Sequence, residues 1–288
     1  MTPAGVEPAT SSHTTIRVAH SPDSDDAFMF YALAQGLIDT GGIEYVHELQ
    51  DIETLNQRAM RAELEVTAVS IHAYAYIADR YALLPHGCSM GDQYGPRLVG
   101  KRVFSAEELR GKRVATPGPL TTATLALRLY QPDVQTVHMA FDRVEDAVLA
   151  GDVDAAMIIH EGQLTYGTRG LKLIADMGEW WFRETGLPLP LGGNVVRKDL
   201  GKDLIRTVSR HLRESVAYAL DHRAGALDHA MQYARGLDRG TADEFVGMYV
   251  NQWTLDYGAT GREAVQVLLD RGHEAGIIRD HVVVEFAE

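Results

Sequence analysis

A single histidine ends a short apolar segment, a position where an imidazole can do chemistry. His160 follows residues 155–159, which have the pattern of a buried strand, and Glu161 comes directly after it. A neutral imidazole at a strand end beside a cleft suits general acid–base catalysis near pH 7. The same position is also typical of a structural histidine, so the pattern leaves both interpretations open.

A second segment, residues 116–124 with the sequence T-P-G-P-L-T-T-A-T, links a predicted strand to a predicted helix. Gly118 permits a close approach of the backbone. Thr121 or Thr122 would begin the helix, where unpaired N–H groups and hydroxyls form an anion site suited to a carboxylate. A simple N-cap on a surface loop would use the same residues, so this alternative also stays open.

Three carboxylates lie close together after the first predicted strand. Asp23, Asp25 and Asp26 could ligate a hard cation. Capping by Ser24 or Asp25 of a helix that begins at Asp26 is the favoured interpretation, because carboxylates are stabilised at the positive end of a helix. On either interpretation this loop lies at the carboxyl end of a strand, where a cleft is expected.

Three other kinds of site are not supported by the sequence. Residues 87–91 match G-x-S-x-G, but the following D-Q-Y-G-P cannot begin the helix that a nucleophile elbow requires. Residues 95–101 match G-x-x-x-x-G-K, but Arg102 occupies the Ser/Thr position of a phosphate-binding loop. The 12 histidines include no H-E-x-x-H pair, so no metal site is predicted.

Composition narrows the possible partners. The chain has 288 residues, 27 Lys plus Arg and 40 Asp plus Glu, for a formal charge of −13. This balance argues against binding to nucleic acid or to anionic lipid. One cysteine, Cys88, excludes an intramolecular disulfide, and no apolar run reaches the length of a membrane helix. A small molecule is the expected partner, since a donor-rich pocket can bind an anion even in an acidic chain.

The N-terminal segment, residues 1–15, is rich in Thr, Ser and Pro and has neither a cationic start nor an apolar core. It is therefore predicted to be a disordered leader and not a secretory signal, and the expected location is the cytoplasm. The sequence predicts no oligomeric state.

Short apolar runs alternate with amphipathic segments, which predicts an α/β protein with mainly parallel sheet. The pattern predicts that residues 101–196 form a self-contained lobe. This lobe is inserted between residues 16–100 and 197–288, which would together form the other lobe. Hinges are expected near Gly100 and Val196, with a ligand cleft between the lobes. The predicted strands are 16–19, 43–49, 66–71, 99–104, 112–115, 134–141, 155–159 and, at the end of the chain, 282–286; the predicted helices include 26–38, 53–61, 74–81, 121–130 and 143–150.

Several segments together resemble the menaquinone-biosynthesis family that contains 1,4-dihydroxy-6-naphthoate synthases and chorismate dehydratases. The similarity is closest to the naphthoate synthase branch and extends from about residue 16 to the C-terminal helices. I-I-H-E at 158–161 and T-G-L-P-L-P-L-G at 185–192 are the most specific matches. Further matches are S-P at 21–22, F-M-F-Y-A-L at 28–33, D-I-E-T-L-N at 51–56, W-W at 180–181 and Y-V-N at 249–251.

The resemblance implies a two-lobed fold of the type II periplasmic-binding-protein class, adapted to an enzyme. It implies a carbon–carbon lyase that converts cyclic dehypoxanthinylfutalosine to 1,4-dihydroxy-6-naphthoate and dihydroxyacetone, without metal or organic cofactor. His160 would be the catalytic base. The implied ligand-binding residues, to which we add Thr121 and Asp26 from their positions, are Thr67, Ala68, Val69, Ser70, Thr122 and Ala123.

Three segments depart from the usual family pattern, one of them the loop before Thr121, where Pro119 and Leu120 stand in place of the family's polar or basic residues. Asp-Ser-Asp-Asp stands at 23–26 where the family usually has Cys-Pro-Asn-Asp, and Ala68 replaces a lysine. Two alternatives to the synthase remain: a non-catalytic solute-binding protein of the same fold, and an enzyme similar to chorismate dehydratase. The I-I-H-E and W-W segments argue against the dehydratase.

Overall fold

The computed structural model describes residues 14–234 and 236–287, which form two β-sheets flanked by helices. The strands are β1 (Thr14–His20), β2 (Ile43–Leu49), β3 (Val66–Ser70), β4 (Tyr81–Leu83), β5 (Ser89–Gly91), β6 (Arg97–Gly100), β7 (Arg113–Thr116), β8 (Gln135–His138), β9 (Ala155–Ile158), β10 (Lys172–Asp176) and β11 (Leu189–Arg197). The α-helices are α1 (Ser24–Met29), α2 (Tyr31–Ala34), α3 (Ile52–Ala59), α4 (Ile71–Tyr74), α5 (Thr122–Tyr130), α6 (Val144–Ala150), α7 (Gly162–Thr165), α8 (Met177–Thr185), α9 (Lys202–Asp221), α10 (Arg223–Ala230), α11 (Arg239–Tyr249), α12 (Gln252–Leu255) and α13 (Gly258–Glu274).

The two sheets confirm the predicted α/β class. The first has the order β2-β1-β3-β11-β4, with β5 also paired to β11, and the second has the order β10-β6-β9-β7-β8. The expectation of mainly parallel sheet is wrong. β11 runs antiparallel to β3, β4 and β5, and β6 runs antiparallel to β9 and β10. Both sheets are therefore mixed. β11 joins the first sheet after the chain leaves the second, and β6 joins the second sheet after the chain leaves the first. Each runs antiparallel to its neighbours.

The chain passes between the sheets at two neighbouring places. β5 belongs to the first sheet and β6 to the second, and the chain returns to the first sheet at β11. Leu189 pairs with Gly91, so the end of β5 lies beside the start of β11. Gly100 is the last residue of β6 and Val196 lies inside β11. Neither of these predicted hinge points therefore lies at a crossing between the sheets.

The chain ends also differ from the predictions. Thr14 and Thr15 are part of β1, so they do not belong to a disordered leader, and residues 1–13 lie outside the described residues. In the predicted late strand at 282–286, only Phe286 forms a β-bridge, to Leu83. The backbone hydrogen bonds there are few: Leu83 N donates to Glu285 O at 2.9 Å, and Ala287 N donates to Leu83 O at 2.7 Å.

The predicted helix at 26–38 is divided into α1 and α2. Phe30 separates them with φ −89° and ψ 1°, outside the α-helical range. α1 begins at Ser24, and the residue before it, Asp23, makes no side-chain cap hydrogen bond. The predicted capping by Ser24 or Asp25 is therefore wrong, because the helix begins two residues earlier than the pattern indicated.

Two amphipathic helices hold the layers together. α9 buries residues at spacings of three and four along one face, including Ile205, Val208 and Leu212, which pack with α1 and α2. α13 packs between the lobes, because Leu268 contributes to the same apolar cluster as Leu125 of α5 and Val195 of β11. Over residues 14–234 and 236–287, no helix is both long and apolar enough to cross a bilayer.

Buried histidines make the fold sensitive to acid. Burial lowers the pKa of His86 from 6.5 to about 4, and its Nε2 lies 3.2 Å from Ser209 Oγ. The unfolded chain takes up this proton near pH 6.5 while the folded chain resists it, so the free energy of unfolding falls as the pH drops from 6.5 towards 4.

Between pH 7 and pH 5, we expect the free energy of unfolding to fall by about 2 kcal/mol less in His86→Gln than in the wild type. Urea titrations at the two pH values measure this difference directly. Equal losses in the two proteins would show that His86 does not resist protonation in the folded state.

Candidate functional site

A cavity of about 110 Å³ lies between the two lobes, beside the carboxyl ends of β1 and β3 and the first turn of α5. Of the residues predicted for the site, Asp26, Ala68, Val69, Ser70, Thr121, Thr122 and Ala123 line the cavity, whereas Thr67 and His160 do not. The other lining residues are Ser21, Asp23, Asp25, Ile52, Gly87, Ser89, Pro96, Ile159, Leu191, Gly192, Gly193, Asn194 and Tyr249.

The start of α5 presents backbone donors to the cavity. Thr121 is the N-cap, and its hydroxyl accepts a hydrogen bond from Thr124 N, as the sequence predicts for this helix start. In the described part of the chain, the N–H groups of Thr122 and Ala123 have no acceptor, since the first turn of a helix offers none. The preceding loop already binds one carboxylate, because Leu120 N donates to Glu53 Oε2 at 3.1 Å.

The end of β3 is held by a buried asparagine. Ser70 N donates to Asn56 Oδ1 at 2.9 Å, and Asn56 Nδ2 donates to Ser70 Oγ at 3.1 Å. These two bonds fix the Ser70 hydroxyl at the cavity. Thr67 is fully buried, and its hydroxyl donates to Ala68 O at 3.0 Å. Thr67 therefore supports this strand from behind and does not line the cavity.

The opposite wall carries carboxyl groups. Ser21 N donates to Asp26 Oδ2 at 2.7 Å, and Ser21 Oγ donates to Asp23 Oδ2 at 2.8 Å. Burial raises the pKa of Asp26 to about 7. Burial, followed by the neighbouring charges of Asp26, Asp23 and Glu161, raises the pKa of Asp25 well above its usual range. The wall is therefore less negative at neutral pH than its composition suggests.

Metal binding was an alternative function for these carboxylates. Within residues 14–234 and 236–287, no group of three His, Cys, Asp or Glu side chains is placed to hold a metal ion. The hydrogen bonds from Ser21 to Asp23 and Asp26 instead give these oxygens partners within the protein.

His160 does not line the cavity, but the preceding residue in the chain, Ile159, does. Its ring packs edge-on against Phe141, with the ring centroids 5.2 Å apart. Nδ1 accepts a hydrogen bond from Gly162 N at 3.1 Å, and Nε2 lies 3.3 Å from Phe141 O. These partners place the ring proton on Nε2. To reach a molecule in the cavity, the ring must exchange these partners for the substrate.

Asn194 and Tyr249 are two of the thirteen lining residues that were absent from the predicted set. Asn194 on β11 is buried, and its Nδ2 donates to Gly87 O at 2.7 Å, while Oδ1 has no partner in the described part of the chain. Tyr249 at the end of α11 donates from its hydroxyl to Gln163 Oε1 at 2.8 Å. Tyr249 lies in the Y-V-N segment that carries the resemblance, whereas Asn194 lies just after the matched segment 185–192. The position of both side chains depends on contacts between distant parts of the chain.

Comparison with known proteins identifies the family of the chain. A family model described as "Menaquinone biosynthesis" matches residues 16–274. The chain belongs to the menaquinone biosynthesis family. The resemblance expected from the sequence is thereby confirmed, and it covers both sheets and the helices that line the cavity.

Two curated relatives in this family carry the same name. The protein is 40% identical over 262 residues to a 1,4-dihydroxy-6-naphthoate synthase of Thermus thermophilus, covering 91% of this chain and 95% of the relative. It is 37% identical over 273 residues to a 1,4-dihydroxy-6-naphthoate synthase of Streptomyces coelicolor, covering 93% of this chain and 96% of that enzyme.

Solved structures confirm the two-lobed fold. A crystal structure of a protein from Archaeoglobus fulgidus is 47% identical, with a TM-score of 0.89, and covers 93% of this chain and 100% of its own. The periplasmic aliphatic sulphonate binding protein SsuA from Escherichia coli is 14% identical, with a TM-score of 0.65, covering 94% of this chain and 90% of its own. At this identity SsuA shows the fold alone.

The raised pKa of Asp25 leads to a testable effect on stability. The folded protein keeps this carboxyl protonated at pH values where the unfolded chain releases the proton, so Asp25 destabilises the fold as the pH rises above about 4. We expect Asp25→Asn to raise Tm by about 2–4 °C at pH 8, because the amide stays neutral. At pH 4 the variant and the wild type should melt together. Calorimetry at both pH values measures this, and an equal difference at the two would contradict it.

Proposed function

We propose that the protein is a 1,4-dihydroxy-6-naphthoate synthase. In this proposal it is a carbon–carbon lyase that converts cyclic dehypoxanthinylfutalosine to 1,4-dihydroxy-6-naphthoate and dihydroxyacetone. The observation that carries the proposal is identity of 40% and 37%, over most of each chain, to two enzymes of that name. The proposal includes a small-molecule substrate as the partner and a cytoplasmic location.

Binding in this proposal uses the two different walls of the cavity. The N–H groups of Thr122 and Ala123 hold the substrate carboxylate, because a helix N-terminus favours negative charge. The opposite wall offers acceptors to hydroxyl groups, among them Asp26 and the Oδ1 atom of Asn194. The substrate carries its carboxylate on the ring system that becomes naphthoate, and its other hydroxyls on the part that leaves. The two walls therefore favour one orientation.

His160 is the base in the proposed reaction. The ring turns from Phe141 O and Gly162 N towards the bound substrate, takes up or relays a proton and so starts ring opening. The bond to Phe141 O, at 3.3 Å, is long for a hydrogen bond and so is weak. Closure of the lobes excludes water during the reaction, as in other two-lobed sites.

A solute-binding protein of the same fold is the second candidate, favoured by the structural similarity to SsuA. It would bind a small molecule in the same cavity without turnover. An enzyme similar to chorismate dehydratase is the third candidate, and it would act on chorismate. The three candidates differ in what they do with cyclic dehypoxanthinylfutalosine and with chorismate, so assays with these two compounds separate them.

The assay follows naphthoate by chromatography after the purified protein is mixed with cyclic dehypoxanthinylfutalosine. We expect product from the wild type and a decrease in turnover of about 10²–10⁴-fold in His160→Ala, the usual loss when a general base is removed. His222→Ala is the matched control, since His222 is an exposed histidine stacked on Tyr218. It should retain full turnover.

Other outcomes identify the alternatives. Saturable binding without product would favour the solute-binding protein, and loss of water from chorismate would favour the dehydratase. Full turnover by a folded His160→Ala protein, with circular dichroism unchanged, would remove His160 from the mechanism without removing the synthase activity.

A further inference from the structure

Two buried hydrogen bonds join the first lobe to the segment that carries His160. Ser24 Oγ in α1 donates to Glu161 Oε1 at 3.2 Å, and Tyr249 OH in α11 donates to Gln163 Oε1 at 2.8 Å. All four side chains are at most 3% exposed. Ser24 and Tyr249 belong to α1 and α11, helices that pack with β1 of the first sheet. Glu161 and Gln163 follow β9 of the second sheet.

One of the two acceptor residues, Gln163, is hydrogen-bonded to His160, and the other, Glu161, is the next residue in the chain. Gln163 N donates to His160 O at 2.8 Å, and Gly162 N donates to His160 Nδ1 at 3.1 Å. Residues 160–163 therefore form one turn, in which a shift of Glu161 or Gln163 moves the imidazole. On the side of the second lobe, Arg97 Nη1 donates to Gln163 O at 2.5 Å. The turn is thus held from both lobes.

We propose that Ser24 and Tyr249 are positioning residues, which seat the turn at residues 160–163 when the lobes close and so aim His160 at the substrate. The inference rests on the proposed role of His160 as the base. Because the two donors and the two acceptors belong to different lobes, separation of the lobes breaks both bonds at once. The turn that carries the base is then held in place only while the lobes are closed, which limits unproductive proton transfer in the open protein.

The geometry favours positioning over a purely structural role. Both bonds end on the three residues that follow His160, although the interface between the lobes offers many other places for hydrogen bonds. Another hydrogen bond between the lobes, from Leu120 N to Glu53, involves no residue of the turn. It holds the lobes together independently of His160.

Substitutions that remove only one hydroxyl test the proposal. We expect Tyr249→Phe and Ser24→Ala each to lower kcat by about tenfold, the effect of a single well-placed hydrogen bond, with KM changed less than twofold. The matched controls are Tyr45→Phe and Ser209→Ala. Both remove hydroxyls bonded to a histidine, Tyr45 OH to His211 at 2.8 Å and Ser209 to His86 at 3.2 Å, away from the cavity. Their kcat should be unchanged.

A double-mutant cycle shows whether the effect passes through His160. Added to His160→Ala, the Tyr249→Phe change should cost no further turnover, because there is no imidazole left to position. A tenfold loss in that background, or a rise in KM at constant kcat, would overturn the proposal in favour of direct contact between Tyr249 and the substrate.

Hydrogen exchange tests the contact without any substrate. We expect amides at 159–165 to exchange faster in Tyr249→Phe and Ser24→Ala than in the wild type or Tyr45→Phe. Unchanged exchange in both variants would overturn the seating of the turn. A wild-type protein that makes no naphthoate would instead disprove the proposed function, and the exchange result would still show whether the first lobe holds the turn.

Discussion

The site depends on the hydroxyl of Thr122, which joins the first turn of α5 to the opposite lobe both as a hydrogen-bond donor and as an acceptor. This hydroxyl donates to Leu191 O at 2.6 Å and accepts from His72 N at 3.2 Å. One buried hydroxyl thereby satisfies two backbone groups that would otherwise lie unpaired at the interface, where each would cost about 1–3 kcal/mol. With its side chain used in this way, Thr122 presents its own N–H to the cavity, and the anion site becomes a property of the backbone.

An acidic protein can hold an anion in this cavity because its negative charges are unevenly distributed over the molecule. Donors come from α5, while carboxyl groups form the opposite wall, and burial keeps the latter partly protonated by raising the pKa of Asp26 to about 7. Exposed carboxylates elsewhere on the surface account for most of the net charge of −13, and solvent screens them. The field inside the cleft is therefore set by a few dipoles and protonated acids, and total charge is a poor guide to the ligand.

The sequence predicted the parts of the site that depend on local chemistry. Thr121 caps α5 because the T-P-G-P-L-T-T-A-T segment carries its own turn and cap residues, and β1, β2, β3, β7 and β9 follow hydrophobic patterning. β4 and β5 were not predicted, and the helix predicted at 74–81 is wrong, since α4 ends at Tyr74 and β4 begins at Tyr81. Long-range features escaped prediction. The direction of β11 and the ends of the lobes depend on which strands meet in space, and the break at Phe30 depends on packing against α9. Tyr249 reaches the cavity only because α11 packs beside α1. His160 was identified through a motif, yet its present hydrogen bonds to Gly162 and Phe141 are invisible in that motif.

The pairing of β5 with β11 determines how the two lobes can move. The chain leaves the first sheet just after Gly91 and returns to it at Leu189, and these two residues are register partners. The connection between the lobes therefore begins as a narrow antiparallel ribbon. Sliding along such a ribbon would break its ladder of hydrogen bonds, whereas bending it changes a few dihedral angles at the ends. α13, packed across both lobes behind the cavity, opposes separation on that side. We therefore expect opening to be a rotation about the ribbon, in which the mouth of the cleft travels farthest.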